Sequence, residues 1–353
     1  MYASRVGADG VYQEKGGGNL NNKKVSVCLP FYNIEPYVSR CLDSVLGNTY
    51  QNLEVICVND GSTDGTSALL HEYAKKDPRV IVIDKENAGL VSARQAAIGI
   101  ATGDFLSFID GDDWVHPQFF EVLLTVQEKT GAEAVVCNYA SCAEFTEPHE
   151  IEADKVPFQV ADNLSLLNDW HARTHIWGRI YSRKLSPHTV VPRNINMGED
   201  TAFNLSFLCS EQDACVARVA EALYYYFQRE DSIVHTVSHA DKIDVALFFV
   251  EQYDAIKNTD KYGIVLHEIL RNMLTYRYLT SFSGDQNSIR KACRSIYDFC
   301  KENWAGSFSA KEKVKYSILY YCPFVYRLFR IITDPTMLDW ERAEKKRQQE
   351  RAE

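Results

Sequence analysis

Residues 25–33 read VSVCLPFYN, a run of β-forming side chains that ends in Pro-Phe-Tyr-Asn. Comparable apolar runs follow at residues 53–60, 80–84 and 104–110. A short and nearly continuous apolar run is typical of a parallel strand that is covered on both faces. The four runs therefore predict a buried parallel sheet that begins at residue 25.

Helical segments separate these strands. The first has one apolar stripe at the spacing i, i+3, i+4, i+7 and i+8, formed by Val38, Cys41, Leu42, Val45 and Leu46. A second helix follows GSTDGT at residues 61–66, and a third spans about residues 88–101. Strand alternating with helix four times predicts an α/β fold with a doubly wound, mostly parallel sheet and right-handed crossovers.

Composition narrows the class of protein. The 353 residues carry a formal net charge of −10, with 38 Lys and Arg against 48 Asp and Glu. This acidic balance disfavours a nucleic-acid partner. The ten cysteines are scattered without any CxxC pair, which favours a globular protein of the reducing cytosol.

Four regions follow from the pattern along the chain. Residues 1–23 lack the apolar core of a signal peptide and are expected to be a flexible leader. Residues 24–238 hold the alternating strands and helices, and residues 239–334 change to helical periodicity. Residues 335–353 form a charged tail.

The last helical stretch, residues 311–332, is basic at first and then rich in aromatic and aliphatic residues. Its apolar part contains Arg327 and Arg330 and is shorter than the roughly 20 apolar residues that a spanning helix needs. One interpretation is a helix that lies on a membrane surface, with its basic groups at the lipid headgroups. The other is a helix that packs on the protein itself or on a second subunit.

Polar residues mark the carboxyl ends of three predicted strands. Ligands of such sheets bind beyond these ends. A single Asp there is usually a turn residue or a helix cap, but acids on neighbouring strand ends share one crevice. The side chains concerned are Pro30, Tyr32 and Asn33 after the first strand, Asn59 and Asp60 after the second, and Asp110, Asp112 and Asp113 after the fourth.

The crevice predicts a divalent metal. GxGxxG and GxxxxGK[ST] are absent from the sequence, so several carboxylates would repel a phosphate unless a cation lay between them. On an extended strand, side chains two apart stand about 6.6 Å from each other, whereas Mg²⁺ ligands lie about 2.1 Å from the ion. We therefore assign Asp112 as the direct ligand of Mn²⁺ or Mg²⁺ and Asp113 as a supporting ligand. Asp110 is expected to reach a ribose or a metal-bound water.

Four ordered blocks, SVCLPFYN, EVICVNDGSTDGT, NAGLVSARQAA and GDFLSFIDGDDW, resemble the signatures of the family-two glycosyltransferases with the GT-A fold. The resemblance covers about residues 24–235, and the blocks together are far more specific than a lone DxD. It implies a GT-A-like sheet and an inverting enzyme that uses a nucleotide-sugar.

The resemblance also implies a donor site. Pro30 and Tyr32 would line the nucleotide, Asp60 would bind the base, with uracil as the prediction, and Ser62 would lie in the turn beneath it. Relatives commonly have a second Asp where this chain has Asn59, a departure that leaves Asp60 in place.

Further candidates surround this core set. Arg94 would approach the donor diphosphate, although a surface helix arginine is the alternative. Arg229 matches the first position of an Arg-x-x-Ser stretch in similar enzymes. His235 could contact metal or phosphate, and Trp177 could stack on a sugar, but structural roles suit both equally well or better.

The catalytic base comes from NMGEDTAFNLSFL at residues 196–208. Glu199 and Asp200 begin a helix with an apolar face, where carboxylates ordinarily stabilise the helix N-terminus. The resemblance implies that Asp200 is the base that removes a proton from the acceptor hydroxyl.

The predicted function is therefore transfer of a hexose or N-acetylhexosamine from a UDP-sugar to a saccharide. The acceptor would be lipid-linked, as in bacterial surface polysaccharide synthesis, if residues 311–332 lie on the inner face of the cytoplasmic membrane. One alternative is a nucleotide-sugar-binding or assembly module without turnover. Another is a nucleotidyltransferase, which would need a basic loop that LPFYNIEPYV lacks.

Overall fold

The structure is a computed structural model. It describes residues 23–142, 148–162, 175–184, 198–209, 215–229, 246–251, 262–279, 286–304 and 308–333. The predicted charged tail, residues 1–22 of the predicted leader, and His235 lie outside the described residues.

The chain divides into two compact units. The first consists of residues 1–193 and 203–232, and the second consists of residues 194–202 and 233–353. Each is described separately below.

Four parallel strands form one side of the sheet in the first unit, in the order β3-β2-β1-β4. The strands are β1 (Val25–Phe31), β2 (Leu53–Asp60), β3 (Val80–Lys85) and β4 (Phe105–Phe108). Every residue of β1 and β2 is buried, because helices cover both faces of a parallel sheet. The predicted succession of parallel strands separated by helices is confirmed, and so is the predicted α/β fold class.

The connecting helices match the predicted apolar stripes. They are α1 (Glu35–Leu46), α2 (Thr66–Lys76) and α3 (Leu90–Ile100). In α1 the buried residues are Val38, Cys41, Leu42 and Val45, which form the expected core face. The starts of α1 and α2 are held together by Asp64, whose carboxylate accepts hydrogen bonds from the backbone N–H groups of Glu35 and Thr66. These contacts fix the loop that follows β2.

The other side of the sheet is mixed, and the order continues β4-β8-β6-β9-β5, with β7 beside β9. β6 and β9 run parallel to each other, whereas β5, β7 and β8 form antiparallel pairs. The elements are β5 (Trp114–Val115), α4 (Phe119–Thr130), β6 (Ala134–Cys142), β7 (Phe158–Asp162), β8 (Arg179–Ser182), α5 (Glu199–Cys209) and β9 (Cys215–Phe227).

The described part of the second unit is helical beyond residue 245, as its periodicity predicts. Its longer helices are α6 (Tyr262–Leu279), α7 (Gln286–Glu302), α8 (Ala310–Tyr321) and α9 (Pro323–Thr333). A capping box begins α8, since Ser309 and Glu312 each bind the backbone N–H of the other. Among the described residues, every helix is too short or too polar to span a lipid bilayer.

Candidate functional site

The carboxyl ends of β1, β2 and β4 lie side by side. Phe31 pairs with Asn59, and Cys28 pairs with Phe108, so the residues that follow β1 and β4 leave the sheet at the same edge as Asp60. Parallel strands in adjacent register bring about this meeting of polar strand ends. The structure thus brings together the predicted donor-site and metal-site residues of these three strands.

Asp60 is buried at the end of β2, and its carboxylate is already bound. Lys85 Nζ lies 2.5 Å from Asp60 Oδ1, and the backbone N–H groups of Ala88 and Gly89 donate to the same carboxylate. Asp60 therefore anchors the loop before α3 to the sheet. Its contact with a base stays a prediction, and the carboxylate would have to make that contact in addition to these existing bonds.

The turn after β2 is shaped by Asn59 and Asn33. Asn59 Nδ2 donates to Asp84 Oδ1 at 2.7 Å, while its Oδ1 accepts the N–H of Ser62 at 3.0 Å. Asn33 has a φ of 50°, and its backbone N–H donates to the Ser62 hydroxyl. Gly61, at φ 75°, passes so close to Asn87 that a Cβ would lie 2.7 Å from its backbone nitrogen. The predicted turn residue Ser62 thus ties two strand ends together.

Two further predicted donor residues stand at the end of β1. Pro30 is buried within the strand and faces Val58 in the register with β2. Tyr32 is 49% exposed and follows directly after the strand. An exposed aromatic ring at this edge is available to a planar ligand.

The turn after β4, the acidic turn of residues 110–113, holds two carboxylates that are each paired with an arginine. Arg94 donates from its terminal nitrogen to Asp110 Oδ1 at 3.0 Å, and Arg94 itself is only 4% exposed. Arg229 Nε lies 2.9 Å from Asp112 Oδ2. Arg94 is therefore a buried helix residue that points at the acidic turn and not a surface arginine.

Asp113 points into the protein and is fully buried. The Tyr224 hydroxyl donates to one of its oxygens at 2.5 Å, and the backbone N–H of Phe227 donates to the other at 2.8 Å. Gly111 is packed against the side chains of Phe31 and Ile34, where a Cβ would lie within 2.7 Å of both. The predicted supporting role of Asp113 at a metal would require its two hydrogen bonds to open.

Burial and like charge dominate the electrostatics of this turn. Burial, followed by the negative charge of Asp110, raises the pKa of Asp112 to about 6, although Arg229 and Arg40 act in the opposite direction. Burial, followed by the negative charges of Asp112 and Asp110, raises the pKa of Asp113. Such crowding of carboxylates at a cleft is typical of functional sites.

These residues fit a divalent metal that is shared with a substrate. No group of three or more His, Cys, Asp or Glu side chains within the described ranges is arranged to hold an ion. Mg²⁺ and Mn²⁺ at nucleotide sites need only one or two carboxylates, because substrate phosphates and water complete the coordination shell. Asp112 and Asp110, crowded and partly exposed, provide that number.

Arg40 is a residue of the site that sequence reasoning did not select. It donates from its terminal nitrogen to the backbone oxygen of Asp112 at 2.7 Å. Its guanidinium lies 4.3 Å from the ring centres of both Trp114 and Phe227. The sequence signal is weak, since Arg40 is one polar residue within an amphipathic helix.

Trp177 lies in the core beside the acidic turn. Its ring stacks on Tyr224 at 4.4 Å and on His175 at 4.3 Å, and only 6% of the residue is exposed. It also borders a cavity of about 460 Å³ whose wall includes Tyr139, Arg179 and Arg218. Trp177 is thus a packed core residue that borders a cavity, and its predicted contact with a sugar stays a prediction.

Glu199 and Asp200 begin α5, as the sequence predicts. They belong to the second unit, and the helix continues into the first unit from Phe203. Negative charge in the first turn suits the helix dipole. The roles predicted for both acids stay predictions.

A family model assigns the sheet to known proteins. It is the model of Glycosyl transferase family 2, and it matches residues 26–180. Residues 26–180 are a glycosyl transferase family 2 domain. The resemblance in the sequence blocks is thereby confirmed. The domain includes the acidic turn, Asp60 and Trp177.

Curated relatives agree with this assignment. The chain is 32% identical over 216 residues to an uncharacterized glycosyltransferase, EpsJ of Bacillus subtilis. This alignment covers 59% of the present chain and 62% of EpsJ. The chain is also 32% identical over 228 residues to the glycosyltransferase GlyA of Streptococcus pneumoniae, with 61% of this chain and 32% of GlyA aligned. The chain thus spans less than two thirds of either relative.

Solved structures share the fold. The crystal structure of Staphylococcus aureus TarS 1–349 in complex with UDP-GlcNAc matches with a TM-score of 0.54 and 16% identity, over 80% of this chain and 89% of that chain. At this identity the likeness establishes the fold alone. The predicted GT-A-like architecture with a helical C-terminal region is confirmed.

Proposed function

We propose that this protein is an inverting, metal-dependent glycosyltransferase that moves a hexose or N-acetylhexosamine from a UDP-sugar to a saccharide hydroxyl. The observation that carries this proposal is the acidic turn of the family 2 domain. There, Asp110 and Asp112 lie at the carboxyl edge of the sheet, each beside an arginine. Crowded acids beside arginines are typical of a functional site, and they suit one in which a metal ion can take the place of an arginine.

The donor site is assigned to the ends of β1 and β2. Tyr32 offers an exposed ring, while Pro30 and the turn at Ser62 form the floor between the strands. Asp60 would accept a hydrogen bond from the N–H of a uracil, a donor that a buried carboxylate can recognise. TarS, a protein of similar fold, has been crystallised in complex with UDP-GlcNAc, which supports a uridine nucleotide as the donor.

Asp112 would hold the metal, and Asp110 would bind a metal-bound water or the ribose. When bound, a divalent cation supplies charge neutralisation to the departing nucleoside diphosphate. Arg94 would keep Asp110 oriented, because its guanidinium is buried and points at that carboxylate.

Asp200 is assigned as the general base. It would accept the proton of the acceptor hydroxyl while the acceptor oxygen bonds to the anomeric carbon. The bond from that carbon to the diphosphate oxygen breaks in the same step, and UDP leaves with the electron pair. A single in-line displacement inverts the configuration and needs no covalent intermediate.

The acceptor is assigned to the cavity beside Trp177. Aromatic rings that stack on sugar faces and polar groups that bind hydroxyls are the usual features of a carbohydrate site. The cavity has both, with Tyr139 and Trp177 as rings and Asn138, His175 and Arg218 as polar groups. The Trp177 ring stacks on Tyr224, whose hydroxyl binds Asp113, so a chain of side-chain contacts links the cavity wall to the acidic turn.

A membrane surface is proposed for α8 and α9. Large apolar side chains are exposed along both helices, with Tyr321 at 66%, Phe324 at 65% and Ile332 at 80%. Lys315 lies over the ring of Phe329 at 4.8 Å, which places a basic group beside the apolar face. Such a face suits anionic headgroups and would give access to a lipid-linked acceptor. Phe324→Ser with Ile332→Ser should reduce flotation with vesicles that contain phosphatidylglycerol, and unchanged flotation would refute the membrane assignment.

The donor proposal is tested by thermal unfolding with a panel of UDP-sugars and GDP-sugars, each with and without Mn²⁺. A UDP-sugar should raise Tm only when Mn²⁺ is present, because a ligand that binds the folded state stabilises it by mass action. A transfer or hydrolysis assay on the stabilising donor then separates an enzyme from a binding module. Stabilisation by GDP-sugars alone would refute the uracil assignment, and tight binding without turnover would favour the module.

A further inference from the structure

Two arginines hold Asp112, and they do so in different ways. Arg40 donates a hydrogen bond to the backbone oxygen of Asp112 at 2.7 Å, whereas Arg229 forms an ion pair with the Asp112 side chain, its Nε 2.9 Å from Oδ2. The backbone contact leaves the Asp112 carboxylate available to a ligand. The side-chain contact occupies an oxygen that a metal would need.

Arg40 is fixed in place. It projects from α1, and its guanidinium lies over the rings of Trp114 and Phe227, 4.3 Å from the centre of each. The Trp114 ring is itself stacked on Tyr225 at 5.5 Å. A guanidinium that lies over two rings and donates to a carbonyl has three contacts that hold it in place. Arg40 therefore sets the path of the acidic turn.

Arg229 is placed differently. It lies two residues beyond the end of β9, and its guanidinium is 5.6 Å from the centre of the Tyr37 ring. Its partner Asp112 is crowded by Asp110 and Asp113, so the guanidinium offsets negative charge in a largely buried site. A divalent cation on Asp112 would offset the same charge, and two positive groups there would repel each other.

We propose that Arg229 is an exchangeable counter-ion of Asp112, which neutralises this carboxylate in the donor-free protein and passes to the donor diphosphate when the metal takes its place. This inference rests on the proposed metal-dependent use of a nucleoside diphosphate. An arginine fork suits diphosphate oxygens at least as well as a carboxylate. Arg229 and the metal therefore compete when the donor is absent and cooperate when it is present.

The exchange makes Mn²⁺ and UDP bind cooperatively, in a way that depends on Arg229. Mn²⁺ alone must displace the guanidinium, whereas Mn²⁺ with UDP gives the guanidinium a new anionic partner. By linkage, UDP must tighten Mn²⁺ binding by the same factor as Mn²⁺ tightens UDP binding. Removing the positive charge of Arg229 should help the metal alone and weaken this coupling.

The test measures free Mn²⁺ by electron paramagnetic resonance during titration of the full chain, with and without UDP, against a blank of UDP alone. Arg229→Gln should bind Mn²⁺ alone about tenfold more tightly than the parent protein, and the tightening by UDP should fall by about tenfold, a typical size for coupling between sites. Arg229→Met gives a second neutral side chain with a similar stem if the glutamine variant does not fold.

Two control variants separate exchange from simple loss of charge or structure. Arg40→Gln should weaken Mn²⁺ binding equally with and without UDP, because it loosens the turn in both states. Arg79 does not belong to the acidic turn and pairs with Asp77 at 2.7 Å. Arg79→Gln should therefore change neither the Mn²⁺ affinity without UDP nor the affinity with UDP.

The outcomes distinguish this inference from the proposed function. Unchanged or weaker binding of Mn²⁺ alone by both neutral variants of Arg229 would overturn the exchange while the parent protein still binds UDP and Mn²⁺. A parent protein that binds neither ligand would overturn the exchange and the proposed function together.

Discussion

The two edges of the parallel sheet carry buried carboxylates in opposite situations. At the start of β2, Glu54 receives hydrogen bonds from Ser26 and Gly103 at Oε1 and from the Thr102 hydroxyl at Oε2, and Lys24 Nζ lies 2.6 Å from Oε2. At the far edge of the sheet, the acids of the turn after β4 crowd one another. The same sheet thus surrounds one carboxylate with hydrogen-bond donors and brings others into mutual repulsion in a buried turn.

The pKa values record this difference. Burial alone would raise the pKa of Glu54, but hydrogen bonds from Lys24, Ser26 and Thr102 outweigh it and lower the pKa to about 2. For Asp112, burial and Asp110 prevail and raise the pKa to about 6. Ionised Glu54 therefore stabilises the fold, whereas ionised Asp112 costs stability. A carboxylate that is costly to the fold is a candidate for function.

The largest expected effect comes from Asp112→Asn. Transfer should fall by about 10²–10³-fold, because the variant loses the charge that holds the metal at the diphosphate. The free energy of unfolding at pH 7 should stay the same or rise, since a neutral amide relieves the repulsion from Asp110. Initial rates and urea unfolding measure the two quantities.

Asp298→Asn is the matched control for that variant. Asp298 is exposed in the second unit and pairs weakly with Arg294 at 3.6 Å, so activity and stability should both stay close to the parent values. If Asp112→Asn lost activity only in proportion to its folded fraction, the contrast between the two sheet edges would be wrong.

The opposite edge should respond in stability alone. Glu54→Gln should lower the free energy of unfolding at pH 7 by about 2–3 kcal/mol, because it places an amide against the N–H groups of Thr102 and Gly103. Activity per folded molecule should not change. Since the folded pKa is depressed, the contribution of Glu54 is complete above the unfolded value of 4.5 and is lost as the pH falls toward about 2.

Urea unfolding at several pH values between 7 and 3 checks this prediction. The difference between parent and variant should shrink as the pH falls, because the parent then loses the ionised carboxylate. Glu72→Gln changes an exposed acid, 3.9 Å from Lys76, and should alter stability by less than about 0.5 kcal/mol. A constant difference across this range would mean that shape and not charge explains the role of Glu54.

Much of the sheet could be predicted from the sequence because its signals are local. Apolar runs located β1, β2 and β3 to within a residue, and the spacing of apolar residues identified the buried face of α1. Polar residues at strand ends pointed to the acidic turn, because parallel strands bring those ends together whatever the details of the loops.

The partners within the site could not be predicted in the same way. Arg40, Arg94 and Arg229 reach the acidic turn from α1, α3 and the end of β9, which are far apart in sequence. No periodicity records which carboxylate each will meet. Asp113 shows the same gap, since its neighbours in the chain favour a ligand role whereas Tyr224 and Phe227 turn it inward.

The smallest expected effect tests whether every polar residue at the functional edge is costly to the fold. Asn59 is not, because its amide donates to Asp84 and this hydrogen bond is the main reason that the pKa of Asp84 is lowered. Asn59→Asp should therefore cost about 1 kcal/mol at pH 8, where two carboxylates face each other, and less near pH 5, where one can bind a proton. Adding Asp84→Asn restores a donor opposite the new carboxylate and should recover most of the loss in a double-mutant cycle. UDP affinity should stay unchanged in both variants, since the amide of Asn59 binds Asp84 and the Ser62 backbone. A large loss of UDP binding in Asn59→Asp alone would place residue 59 in the donor site. The distinction between a polar residue that stabilises the fold and one that binds the ligand would then be wrong.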